Sequence, residues 1–181
     1  MNSKIIITIF SCLAIGFILF VVVVLGVKRY REVKDRIEVV GENGKKYTSY
    51  NDALYDLDFV SAHNFVDKMN ESVKKGPLEW KYRPEEVQEA YENVFKKEVS
   101  YLMYEMHEID NVKIIYLIKE VPRVDFCFSS NDDLCDYVLD MSIMLKNEEL
   151  CKMVLEIYES DENKGEATLK YKQALKEGKF D

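Results

Sequence analysis

The sequence predicts a mainly α-helical protein, with one N-terminal transmembrane helix followed by a single helical-bundle or helical-hairpin domain. Three observations predict this fold: an uncharged apolar run near the N-terminus, apolar residues spaced three and four positions apart beyond it, and roughly 140 further residues, a common size for one core. The predicted segments are a short flank at 1–4, a membrane helix at 5–27, a basic juxtamembrane helix and linker at 28–47, and an acidic helical domain at 48–181.

The membrane helix is predicted from length and polarity. The 23 residues from Ile5 to Val27 include no charged side chain. A helix of that length spans roughly 34 Å, enough to cross a hydrocarbon core of about 30 Å. A cleaved signal peptide is the alternative, but its apolar region is typically about 7 to 15 residues long and ends in small residues. We therefore predict an uncleaved anchor.

The charged flanks of this run predict its orientation. Lys4 is the basic residue on the N-terminal side, whereas five basic residues follow the run: Lys28, Arg29, Arg31, Lys34 and Arg36. Positive flanks are retained in the cytoplasm, so we expect the domain to be cytoplasmic and the N-terminus to lie outside. Contact between these residues and anionic lipid headgroups is an additional role that the cluster permits.

The charge of the domain excludes one class of partner. The whole chain has a net charge of −8; residues 1–38 carry six basic and three acidic side chains, so residues 39–181 carry −11. Such an excess of carboxylates repels phosphate backbones, which argues against nucleic-acid binding. A basic or neutral protein partner at the cytoplasmic face of the membrane is expected instead.

The membrane helix is expected to continue beyond the bilayer. Val33, Ile37 and Val40 recur at helical spacing, and Gly41 is the first residue that favours a helix end. We therefore predict a helix up to Gly41, then a polar linker, with the domain starting near Thr48.

Helix-capping residues mark the first helices of the domain. Ser49 and Asp58 are placed to cap two helices, the second of which ends at Gly76 and Pro77. A long helix then begins at Pro84, because proline needs no amide donor in a first helical turn. Its apolar residues fall on one face: Val87, Tyr91, Val94, Phe95, Val99, Leu102, Met106 and Ile109.

Residues 112–128 fit two structures. The half before Pro122 is rich in isoleucine at the spacing of a buried helix, whereas Val124, Phe126 and Phe128 alternate as in a strand. We expect a short helix followed by an extended segment, with a two-stranded β-hairpin as the alternative.

Three further helices are expected to complete the domain. Ser130 is placed to cap the first and Asn147 begins the second, so that the two form a helical hairpin, and a polar helix runs from Glu166 to Glu177. One pattern typical of a turn between two helices occurs twice. It consists of an alanine, a leucine directly after it and a phenylalanine five positions later: Ala53, Leu54 and Phe59, then Ala174, Leu175 and Phe180.

The cysteines predict neither disulfides nor a metal site. Cys12 lies in the apolar run, and Cys127, Cys135 and Cys151 have apolar neighbours, so we expect the last three to be buried thiols. Their spacing matches no zinc motif, and the chain has only two histidines to complete one. No metal or cofactor is predicted.

One acidic row is the candidate binding surface. Asp132, Asp136 and Asp140 follow each other at four-residue spacing and therefore lie on one face of a predicted helix. We expect these acids to face a partner. A row of carboxylates could also bind a cation, but we favour a solvated surface because no backbone carbonyls are placed to complete a cation site.

The sequence shows no catalytic pattern. Its seven glycines are scattered, so no phosphate-binding loop is possible, and no serine or cysteine is spaced to be activated by His63. We therefore expect a membrane-anchored helical protein-interaction module, an adaptor or an accessory subunit of a membrane complex. A small membrane-tethered enzyme is the alternative, and a structural subunit that makes contacts through its anchor is a third. Exposed tyrosines would favour binding, whereas a pocket joining His63 or His107 with carboxylates would favour the enzyme.

Overall fold

A computed structural model of the chain describes residues 37–75, 81–106, 108–125, 127 and 130–180. The predicted membrane helix at 5–27, the basic cluster from Lys28 to Arg36, and His107 lie outside these residues. None of the helices within the described ranges has the length and apolar character needed to cross a membrane. The described domain begins as a compact unit at Glu38, earlier than the predicted start at Thr48.

The domain is mainly helical, as predicted. Its elements in chain order are β1 (Val39–Val40), β2 (Lys46–Tyr47), α1 (Tyr50–Tyr55), α2 (Phe59–Lys74), α3 (Pro84–Tyr104), α4 (Asn111–Glu120), α5 (Asp132–Met144), α6 (Glu148–Leu155) and α7 (Asp161–Lys176). Helix α3 is central and contacts α1, α2, α4 and α5, whereas α5, α6 and α7 pack on one another.

A small β-hairpin opens the domain where a helix was predicted. Val39 pairs with Tyr47 and Val40 with Lys46 in antiparallel register, and both Val39 and Tyr47 are buried. The turn depends on Gly44, which has a φ of +77° that favours glycine. The prediction of a helix up to Gly41 was therefore wrong at these residues, because the buried side chains and the turn require strands.

The first half of residues 112–128 is helical, as the favoured prediction had it. Helix α4 ends at Glu120, Val121 has extended backbone angles, and the chain then passes Pro122 without regular secondary structure to a turn in which Cys127 N–H donates to the Val124 carbonyl. The alternative β-hairpin is not formed there, because α4 occupies the first half of the segment.

Side-chain caps start several helices as predicted. Ser49 Oγ accepts from Asn51 N–H, and the carboxylate of Asp58 and the amide oxygen of Asn147 accept from backbone N–H groups three residues on. Helix α7 begins earlier than the predicted Glu166, because Ser160 caps it instead.

Three helices, α1, α5 and α7, end in the same type of turn. In each turn one residue adopts left-handed backbone angles: Leu57 after α1, Lys146 after α5 and Gly178 after α7. That residue donates its N–H to the carbonyl three residues back, and the next residue donates to the carbonyl five back. This is the hydrogen-bond pattern of the Schellman motif. The repeated alanine, leucine and phenylalanine spacing marks the first and third turns. The second has Ser142 and Ile143 at those places, so the sequence pattern did not reveal it.

The predicted apolar face of the long helix forms the core. Its members from Val87 to Leu102 are buried, and Phe95 is among the largest fully buried side chains. Met106 is exposed and Ile109 is half-buried, because α3 ends at Tyr104 before reaching them. The face predicted from spacing was therefore correct only within the helix.

Candidate functional site

A cleft of about 280 Å³ opens between α2, α3 and α4. Helix α2 contributes His63 and Asp67, and α3 contributes Tyr91 and Phe95. The other wall consists of α4 and the residues after it: Tyr116, Leu117, Glu120, Val121 and Pro122. The cleft joins three segments that are far apart in the sequence, which is why no linear motif marks it.

One end of the cleft contains a histidine–carboxylate pair. His63 Nε2 lies 2.9 Å from Glu98 Oε2, and Lys113 Nζ lies 4.0 Å from the other carboxylate oxygen, Oε1. Glu98 itself is buried, at 8% exposure. A buried carboxylate is costly unless it is paired, so these two neighbours compensate it. The contacts also join α2, α3 and the start of α4.

A second polar pair lies one helical turn further along α2. The hydroxyl of Tyr91 donates a hydrogen bond of 2.7 Å to Asp67 Oδ1. Burial, and then the neighbouring Asp67 carboxylate, raise the pKa of Tyr91 well above its ordinary value, so its phenol stays a neutral donor. Asp67 keeps a second oxygen on the exposed rim.

Asn70 lies next to this pair, one turn beyond Asp67, and a hydrogen bond from its side chain opposes the rise in the pKa of Tyr91. Asn70 is 6% exposed, and its Oδ1 is the one buried side-chain polar atom without a hydrogen-bond partner in the part of the chain that the structure describes. Most buried polar atoms are satisfied, so an unused acceptor beside a cleft wall is notable. His63, Asp67 and Asn70 share one face of α2, which is the only sequence signal of this site.

The polar side chains of the cleft lining are two tyrosines, two carboxylates and one histidine. This lining includes no serine, threonine or cysteine within the described residues. Tyr91 is held neutral and its hydroxyl already donates to a carboxylate, so it is a poor nucleophile. No group of three or more histidine, cysteine or acidic side chains in the described ranges is arranged to hold a metal ion.

The predicted partner-facing row of acids is placed differently by the structure. Asp132 is 1% exposed and accepts hydrogen bonds from Glu159 N–H (2.8 Å), Ser160 N–H (3.1 Å) and Asn163 Nδ2 (2.8 Å). It therefore cannot face a partner. Spacing placed Asp132 on the correct helix, but it could not show that the connection between α6 and α7 covers this carboxylate.

The other two acids of the row also make contacts within the domain. Asp136 Oδ1 accepts a 2.6 Å hydrogen bond from the hydroxyl of Tyr158, and Asp140 forms an ion pair with Lys170 of α7. Both acids remain exposed at the surface. The row therefore connects α5 to the C-terminal part of the domain.

A larger groove of about 620 Å³ lies beside Asp140, between α5 and α7. Its charges are compensated locally, because Lys170 pairs with Asp140 and Lys179 Nζ lies 3.0 Å from Glu177 Oε2. This groove therefore presents no uncompensated charge that would select a ligand, in contrast to the cleft.

The three cysteines in the described ranges are free thiols. Cys135 and Cys151 are fully buried, as predicted, whereas Cys127 is half-buried. Burial raises the pKa of Cys135 to about 12 and that of Cys151 to about 11. Both thiols stay protonated near neutral pH, so they act as small apolar side chains.

Comparison with known proteins gives no match to a family model, to a curated protein or to a solved structure. The function must therefore be argued from the site.

Proposed function

We propose that the chain is a protein-interaction module, an adaptor or accessory subunit of a membrane complex, which the predicted helix at 5–27 holds at the cytoplasmic face of the membrane. One observation carries the proposal: the cleft between α2, α3 and α4 combines an apolar interior with exposed carboxylates on two of its walls. Apolar interiors with a few placed polar groups are typical of recognition sites.

Exposed aromatic residues support the same function. Tyr116 is 58% exposed on the cleft wall, and Val112, one turn earlier on α4, is 70% exposed. Tyr55 and Tyr104 are also exposed. Tyrosine is enriched among the residues that dominate protein–protein interfaces, so exposed tyrosines of this kind favour a binding role.

One observation favours the enzyme alternative. His63 contacts Glu98 in a cleft that also contains Asp67, and pairing of a base with an orienting carboxylate is common in active sites. The same contact has a structural explanation, since Glu98 is buried and needs compensation. This structural explanation, together with the exposed tyrosines, makes binding the preferred proposal.

The binding proposal predicts a discrete partner whose association depends on salt. The full-length protein, purified in detergent, should carry a stoichiometric protein partner. The association rate of the two proteins should fall as NaCl is raised from about 0.05 M to 0.5 M, because the added salt shortens the Debye screening length to below roughly 8 Å. Surface plasmon resonance with the recovered partner measures this rate.

A salt-independent association rate would contradict an acidic recognition surface. The enzyme alternative is tested with His63→Ala, since removal of an essential base commonly costs about 10² to 10⁴ in rate. A folded His63→Ala protein that keeps its partner but loses all cellular function would promote the enzyme over the module.

The proposed orientation predicts that a reporter fused after Asp181 is cytoplasmic. Asn70, Glu71 and Ser72 form a natural N-glycosylation acceptor, which would be modified in a eukaryotic secretory lumen if the domain were translocated. It is a weak check, because Asn70 is buried within α2. Glu166→Asn creates an exposed Asn-X-Thr acceptor with Thr168, and we expect it to remain unmodified in a eukaryotic secretory system. Glycan at this engineered site, or at Asn70, would reverse the proposed topology.

A further inference from the structure

We infer that the cleft between α2, α3 and α4 receives one arginine or lysine side chain from a basic, amphipathic segment of a partner protein. In the proposed complex the cation lies between Asp67 and Glu120, and its methylene stem packs on Leu117 and Pro122. The inference rests on the proposed binding function and names the chemistry of the partner.

Two uncompensated carboxylates supply the charge. Asp67 and Glu120 belong to opposite walls of the cleft, on α2 and α4, and both are exposed. Neither forms an ion pair with a cation of the described residues, whereas Glu98, at the other end, is near both His63 and Lys113. An added cation therefore gains the most electrostatic stabilisation at the end of the cleft that carries Asp67 and Glu120.

The interior of the cleft suits the stem of a long basic side chain. Leu117 and Pro122 are half-buried and provide apolar surface, and Tyr116 offers an exposed ring beside them. Arginine and lysine bury their methylene groups while keeping the charged end near carboxylates or an aromatic face.

The size of the cleft argues for one side chain. Its volume of about 280 Å³ lies just below the range of roughly 300 to 1,000 Å³ that is usual for small-molecule sites. A single guanidinium or ammonium group with its methylene stem can be accommodated in such a space.

Exposed apolar residues beyond the cleft argue that the cation belongs to a protein segment. Val60 on α2 is one turn before His63, Val112 on α4 adjoins Lys113, and both valines are mostly exposed. The contacts among His63, Glu98 and Lys113 bring these two regions together. A partner helix can cover the valines with apolar residues and place its basic residue one to two turns away, in the acidic end.

The test uses the full-length protein in detergent and two labelled peptides that differ at one position. The first is an amphipathic peptide with leucines at i and i+4 and an arginine one turn later; the second has neutral citrulline instead of the arginine. Fluorescence polarisation should show that the arginine peptide binds about threefold to fivefold more tightly, the gain expected of partly exposed charge pairs. In Glu120→Gln this preference should fall to about half, and in Asp67→Asn/Glu120→Gln it should vanish.

Glu162→Gln is the matched control, because it removes the same charge from an exposed position on α7. Equal binding of the two peptides to the wild-type protein, or an equal loss in Glu162→Gln and Glu120→Gln, would overturn the inference. Equally tight binding of free arginine amide and of the arginine peptide would assign the cleft to a small cation. If the partner recovered in the salt experiment binds Glu120→Gln unchanged, this inference fails while the interaction module stands; if no partner is recovered, the proposed function itself fails.

Discussion

Replacing Asp132 with alanine is expected to lower the free energy of unfolding by about 3 to 5 kcal/mol. Three donors lose their acceptor at about 1 to 3 kcal/mol each, and the lower part of the summed range applies because the donors are only partly buried. The donors are two backbone N–H groups at the end of the connection to α7 and the side chain of Asn163. Urea unfolding of the full-length protein, followed by circular dichroism, measures the change.

Asp133→Ala is the matched control for this prediction. Asp133 is the next residue on α5 and is exposed, so its removal should change the stability by less than about 0.5 kcal/mol. Asp132→Asn should be intermediate, since an amide keeps one acceptor but places an NH₂ group near donors. Similar values for Asp132→Ala and Asp133→Ala would show that the buried carboxylate has no structural role.

The same carboxylate predicts an acid dependence. Burial acts to raise the pKa of Asp132, but the hydrogen bonds from Glu159, Asn163 and Ser160 outweigh burial and lower it below its usual value. Its contribution to stability is therefore complete above the unfolded pKa of about 3.9 and is lost as the pH falls through the lower folded value. The free energy of unfolding of the wild-type protein should fall as the pH drops below about 4, and that of Asp132→Ala should fall less over the same range.

Truncating Leu102 to alanine should cost about 2 to 5 kcal/mol of unfolding free energy, the range for large apolar side chains removed from a core. Leu102 is buried near the end of α3, the helix that contacts four others. Lys97→Ala, on the exposed side of the same helix, is the control and should change stability by less than about 0.5 kcal/mol. Equal effects of the two substitutions in thermal unfolding would mean that the core does not extend to Leu102.

Local signals in the sequence predicted most of the helices. Caps such as Ser49 and Asp58 act within three residues, and the face of α3 repeats every three or four residues, so both can be read from short windows. The β-hairpin was missed because Val33, Ile37 and Val40 also fit a helical spacing. What selects the strands is the pairing of Val39 with Tyr47 and the burial of both, which no local pattern contains.

The candidate site was largely invisible for a related reason. His63 was considered, but its partner Glu98 is 35 residues away, and Asp67 and Tyr91 are separated by 24. Spacing identified the face that carries Asp132, yet the segment that covers this face comes from a later loop. Periodicity shows which side chains share a surface, and only the fold shows what lies against it.

The row formed by Asp132, Asp136 and Asp140 on α5 has a consequence for how the domain opens. At successive turns, Asp132 binds the loop before α7, Asp136 binds Tyr158 in that loop, and Asp140 pairs with Lys170 within α7. The final helix is thus fastened along its length instead of at one point. Local opening of α7 must break contacts with α5, so we expect α5, α6 and α7 to exchange their amide hydrogens as one cooperative unit.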